Sequence, residues 1–139
     1  MLAPGSQIEL RASPAPAHGS VTGGVRTLVR LEGAAAFATA LAIYAHAGFS
    51  WPAFALFFLA PDLAMLAYFV GPRAGAIAYN FAHSYALALA LAGFLGGMPA
   101  AAAAALIWIA HIGFDRMLGY GLKYAMGFGD THLGRIGRP

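Results

Sequence analysis

The sequence predicts an all-α membrane protein, a four-helix transmembrane bundle running up-down-up-down with both termini cytoplasmic. Three observations carry this reading. Hydrophobic residues make up 60% of the 139 positions and charged residues 9%, a balance foreign to soluble domains. Residues 30–47, 51–70, 74–95 and 99–118 form apolar runs of about 18–22 residues, enough to cross a hydrocarbon core of about 30 Å. All 8 basic residues fall on one side of the resulting arrangement, while the opposite connections at 48–50 and 96–98 hold none. By the positive-inside rule that side is the cytoplasm.

Each element has its own justification. Residues 1–25 are rich in Pro, Ala, Gly and Ser and read as a disordered arm; they have no apolar core of signal-peptide length. Residues 26–124 make up the transmembrane domain, and connections of three or four residues force consecutive helices to be antiparallel neighbours. Gly48 to Pro52 is a turn in which Ser50 caps the second helix and Pro52 opens it. Pro61 interrupts that second run and frees the carbonyl of Phe57. Gly71-Pro72-Arg73 and Gly96-Gly97-Met98-Pro99 are the next two turns. After Leu118 the helix is expected to continue toward Tyr124, at headgroup level, and residues 125–139 read as a solvated cytoplasmic tail.

Three of the runs carry ionisable residues at one depth. Asp62 sits 11 residues after Trp51, His111 12 after Pro99, and His83 12 before Leu95. At 1.5 Å per residue all three lie roughly 17–18 Å below the outer face. Asp115 follows His111 at i+4 on the same helix face, and Glu32 on the first run lies about one turn deeper than the three. Such groups are expensive in hydrocarbon, so their convergence points to function. Imidazole and carboxylate are ligands for a first-row divalent metal ion, and Asp62, His83, His111 and Asp115 would form a mixed N₂O₂ set. Tyr79 and Asn80 share the helix face of His83 and are expected to support it from behind. Glu32 is expected to handle protons as a general base, and Arg116 and Lys123 to meet an anionic headgroup. With no cysteine, a thiolate site is excluded.

The same residues allow other roles. They suit a hydrogen-bonded layer that holds helices together, or a proton relay. His83 and His111 also suit the axial positions of a haem. The net charge of +3 does not call for nucleic acid, because its placement is explained by topology.

Several stretches resemble a known family. Leu28-Val-Arg-Leu-Glu-Gly33, Ala60-Pro-Asp-Leu-Ala-Met-Leu66, Gly71-Pro-Arg73 and Tyr79-Asn-Phe-Ala-His-Ser-Tyr85 are similar to the small bacterial membrane proteins called domain of unknown function 4260. So are the stretch from His111 to Tyr124 and Thr131-His-Leu-Gly-Arg-Ile-Gly137. The resemblance covers about residues 26–137 and implies a multi-pass protein of the bacterial inner membrane. More distantly, Pro61-Asp62, His83-Ser84, His111 with Asp115, and Tyr120-Gly121 resemble, in order, motifs of bacterial inner-membrane metal-dependent hydrolases. Leu63 and Ala64 stand where that group has further ligands, which implies one metal ion at most. Two functions are therefore expected. One is a metal-dependent hydrolase of an amphiphile reached from the bilayer. The other is a non-enzymatic subunit or small carrier; four helices are few for a carrier, so it would work as a homo-oligomer.

Overall fold

A computed structural model describes residues 19–95 and 97–136. The arm expected over residues 1–25 lies outside the described residues as far as 18. From Gly23 onward the chain is already helical. The order is α1 (Gly23–His46), α2 (Trp51–Phe57), a 3-10 helix (Ala60–Phe69), α3 (Pro72–Ala82), α4 (Tyr85–Leu95) and α5 (Pro99–Leu118). Two short strands follow, β1 (Asp130–Thr131) and β2 (Gly134–Arg135), paired antiparallel.

Gly23–His46, Trp51–Phe69 and Pro99–Leu118 are each long and apolar enough to cross a membrane. Pro72–Ala82 and Tyr85–Phe94, bent by 45° at their junction, make a fourth crossing when taken as one broken span. The outward faces are apolar, with Phe69 90% and Phe94 89% exposed, which fits hydrocarbon as the solvent. The two described ends lie together: Tyr124 Oη donates to Gly19 O at 2.7 Å, and Val21 N to His132 O at 2.8 Å.

The first and last spans are unbroken and pack on each other along a glycine seam. A Cβ at Gly33 would stand 2.8 Å from Gly113 O, and one at Gly113 would stand 2.7 Å from Phe37 N. Two backbones meet there with no room for a side chain. α1 stops where Gly48 adopts a left-handed φ of +68°. Ser50 Oγ then accepts from Ala53 N at 3.4 Å and opens α2.

The second span is broken at Pro61, as its missing N–H requires, and the break spreads further than the proline alone dictates. From Ala60 to Phe69 the chain stays in the tighter 3-10 form, unusually long for that geometry. This segment packs against α3, where Gly75 receives the ring of Tyr68.

The third span differs from the continuous helix expected over 74–95. It ends at His83 (φ −100°, ψ 21°) and restarts at Tyr85, with Ser84 Oγ accepting from Ala86 N at 3.2 Å. No proline causes this break. Its freed carbonyls are met by side chains of α5: Trp108 Nε1 donates to Ala82 O at 2.6 Å and Arg116 Nη2 to His83 O at 3.3 Å. A break inside a membrane is tolerated when a neighbouring helix supplies such donors.

The end of the last span also corrects the expectation of a helix running on to Tyr124. α5 closes at Leu118 on Gly119, whose φ of +98° favours glycine. The chain then turns back under the helices. Residues expected as a solvated tail fold against them instead, with Thr131 and Leu133 fully buried.

Candidate metal centre

The two breaks place the first two polar side chains. Asp62 stands in the first turn of the 3-10 helix, and His83 is the residue on which α3 ends. His111 and Asp115 share one face of the unbroken α5 and are aimed at the same point. One ligand atom from each of the four lies within 4.8 Å of all the others. His83 Nε2 is 3.1 Å from His111 Nε2, 3.3 Å from Asp62 Oδ1 and 3.5 Å from Asp115 Oδ2. His111 Nε2 is 3.5 Å from Asp62 Oδ1 and 3.9 Å from Asp115 Oδ2. Four ligands set tetrahedrally about 2.0–2.1 Å from an ion would stand roughly 3.3–3.4 Å apart. The five edges that involve a histidine, 3.1 to 3.9 Å, bracket that spacing.

Proton bookkeeping points the same way. His83 Nδ1 lies 3.0 Å from Tyr79 O, a pure acceptor, so Nδ1 carries a proton and, in the neutral ring, Nε2 presents a lone pair. Both carboxylates also present lone pairs when ionised. With both rings neutral, the only ring proton available to them is one on His111 Nε2. Tyr79 adds a single donor, its hydroxyl to Asp115 Oδ2 at 2.9 Å. His83 and His111 are 2% and 1% exposed. An excess of acceptors in so dry a place is costly without a cation, and the residues present therefore fit a divalent ion.

The rings are held on both sides. Tyr79 stacks on His83 with centroids 3.6 Å apart and 13° between planes. Phe58 meets His111 edge-on at 5.3 Å. Tyr79 thus touches two members of the cluster, Asp115 through its hydroxyl and His83 through its ring.

The bis-histidine haem alternative fails on this geometry. Two axial ligands on opposite sides of an iron, each at about 2 Å as for other metal–imidazole bonds, would stand about 4 Å apart. The two Nε2 atoms are 3.1 Å apart, and two carboxylates occupy the space a macrocycle needs.

Other expected members stand elsewhere. Glu32 is exposed and lies outside the four-residue group. It borders a separate cavity with Tyr85 and Arg116. The reason is rotational: the seam turns Gly33 into α5, and Glu32, one residue earlier on the helix, is carried about 100° away from that contact. Asn80 does not support His83. Its amide clamps the returning chain, accepting from Lys123 N at 2.6 Å and donating to Lys123 O at 2.8 Å. Arg116, expected to meet a headgroup, faces protein: Nη1 lies 3.0 Å from His132 Nε2 and Nη2 donates to His83 O.

Lys123, also expected at a headgroup, is 4% exposed. Its ammonium donates to Phe128 O at 2.9 Å and lies 4.7 Å from the Tyr79 ring centroid. Burial holds its pKa below the usual lysine value, against the opposing pull of Asp115 and Asp62. With Asp62, Tyr79, Asp115 and Phe128 it lines a cavity of about 260 Å³ on the side of the cluster facing the returning chain. The sequence reading missed this wall, Phe128 and Ile136 above all. The one available signal was the presence of Phe128, Leu133 and Ile136 in a stretch otherwise rich in glycine and polar residues.

Comparison with known proteins places the chain without assigning it an activity. No curated protein and no solved structure matches it. A family model described as a domain of unknown function, DUF4260, matches residues 26–136 and so takes in every helix from Arg26 onward, all four members of the cluster and the returning chain. The protein belongs to the DUF4260 family.

Proposed function

We propose that Asp62, His83, His111 and Asp115 hold one divalent metal ion and that the protein is a hydrolase of an amphiphile reached from the bilayer. The observation that carries this reading is the gathering of two imidazoles and two carboxylates within 4.8 Å of one another, beside a cavity that Asp62, Asp115 and Lys123 border. The order of the Pro61-Asp62, His83-Ser84 and His111/Asp115 motifs, similar to that of inner-membrane metal-dependent hydrolases, supports it. A divalent ion would supply Lewis acidity and lower the pKa of a water toward neutrality.

The chain's own residues do the rest. The hydrogen bond from His83 Nδ1 to Tyr79 O fixes the ring with Nε2 inward. Tyr79 Oη orients Asp115. Asp62 has the more open side chain of the two acids, 28% against 13% exposed, and turns Oδ1 to the histidines, so its other carboxylate oxygen is the one to take a proton from water in the cavity. That role replaces the one expected of Glu32. Lys123 offers its remaining N–H groups to an anionic part of the substrate. The protein sits in the bacterial inner membrane with both ends cytoplasmic, a placement supported by the one-sided basic residues.

The test is elemental analysis of detergent-purified protein together with thermal unfolding with and without a chelator. The expected result is one zinc, manganese or iron per chain and a lower melting temperature after chelation. His83→Ala and His111→Ala should lose both properties, and Tyr79→Phe should weaken metal affinity by about 10–100-fold. A metal-free wild type whose stability ignores the chelator would sink the proposal and leave the cluster as a layer that holds the helices together.

A further inference from the structure

On the opposite side of the cluster from Lys123 is a second cavity of about 320 Å³, between the second span and the outer half of α5. Ala53, Phe57, Pro61, Ala104, Ile107 and Trp108 form most of its wall. Two lining residues carry a polar side-chain atom, and both atoms are already used. Tyr44 Oη donates to Ser50 O at 2.7 Å, and Trp108 Nε1 donates to Ala82 O at 2.6 Å. An occupant therefore finds no side-chain hydrogen-bonding group and must be apolar along its length.

The cavity is placed for such an occupant. Its wall runs along α5 from Ala100 to Trp108, about 12 Å at 1.5 Å per residue. Phe57, 55% exposed, and the exposed Ala100 and Ala104 leave it open sideways, at a depth where the surroundings are lipid. At its inner end Pro61 immediately precedes Asp62, and Trp108 is three residues before His111. Beyond the cluster lies the cavity with the Lys123 ammonium. Apolar slot, acidic and imidazole cluster, and cationic chamber thus follow one another along the molecule.

We infer that the slot is an acyl-chain site. It takes one straight chain of a membrane amphiphile from the side and directs the polar end of that molecule toward Asp62 and His111, with an anionic group reaching Lys123. This names the substrate class for the hydrolase reading and rests on it, whereas the binding of the chain can be tested separately. The occupant follows from continuity with the bilayer. A slot open to hydrocarbon and lacking free hydrogen-bonding groups admits hydrocarbon, and filling it recovers the dispersion contacts that a void forfeits.

The probe is a bromine-labelled lauric acid added to detergent-purified full-length protein in a Trp51→Phe background, so that Trp108 is the remaining indole. Saturable quenching of Trp108 is expected. Ala103→Leu and Ala104→Phe, which fill the slot, should weaken the apparent affinity at least about tenfold, equivalent to 1.4 kcal/mol. Metal content and melting temperature of each variant show whether it still folds, and Ala100→Leu at the slot's outer end is the fallback. Quenching that rises without saturation, or that survives filling in a folded variant, overturns the slot and leaves ordinary lipid contact. A metal-free wild type whose quenching is saturable and abolished by filling overturns the hydrolase reading while the acyl-chain site stands.

Discussion

The unbroken spans and the broken ones do different work. α1 and α5 run for 24 and 20 residues without interruption and meet backbone to backbone at Gly33 and Gly113. The second and third crossings are interrupted close to the cluster residues they carry, at Pro61 beside Asp62 and at His83 itself. A straight helix offers ligands only along its own face, as α5 does with His111 and Asp115. A broken one re-aims a side chain at the cost of orphaned carbonyls. For the third crossing α5 meets that cost through Trp108 and Arg116, so a rigid span stabilises an irregular one. The lesson is that polar function inside a membrane is built where a helix ends, against a helix that does not.

The largest effect is expected at the seam. Gly33→Leu must push apart two backbones already in contact, and overpacking of this kind typically costs about 1–3 kcal/mol. Folded yield and melting temperature in detergent should both fall sharply. Gly93→Leu, on the broken third span with nothing within 4 Å of its Cβ position, should be nearly silent. Equal losses at the two glycines would erase the distinction between rigid and irregular spans.

A smaller effect should separate the cluster from the clamp beneath it. Asn80→Ala removes both hydrogen bonds to the Lys123 backbone, each worth about 0.5–1.5 kcal/mol. Protease cleavage between residues 125 and 136 should accelerate while metal content stays at the wild-type level. Loss of metal in this variant would return Asn80 to the role of supporting His83.

The smallest expected effect concerns acid. Burial, and next the Arg116 guanidinium, hold His132 below the usual histidine pKa, against a smaller raising contribution from the Leu122 backbone. The folded-back chain therefore binds a proton less readily than the released one. Its packing is complete above about pH 6.5, the ordinary histidine value, and weakens as pH falls below that. Protease sensitivity of residues 125–136 should rise between about pH 7.5 and pH 5.5, and His132→Gln should flatten the response. An unchanged profile in that variant would move the titration to another group.

How much of this was legible from the chain alone follows from what each inference needs. Hydropathy and length reveal spans because a bilayer has a nearly constant thickness. Depth follows from residue count because helical rise is nearly constant, so Asp62, His83 and His111 could be matched before any fold was known. The break at Pro61 was legible too, since a missing N–H acts locally. Rotation about the helix axis is not local. Glu32 has the right depth and the wrong direction, because the Gly33–Gly113 contact sets how α1 turns. The bend at His83 depended on donors from Trp108 and Arg116, 25 and 33 positions later in the chain. The fold-back of residues 119–136 depended on Asn80 being free to grip Lys123. Sequence alone determined that Asp62, His83 and His111 stand at a common depth in their spans. Only the tertiary structure decided which way each side chain points and what it meets, because those depend on contacts between residues distant in the chain.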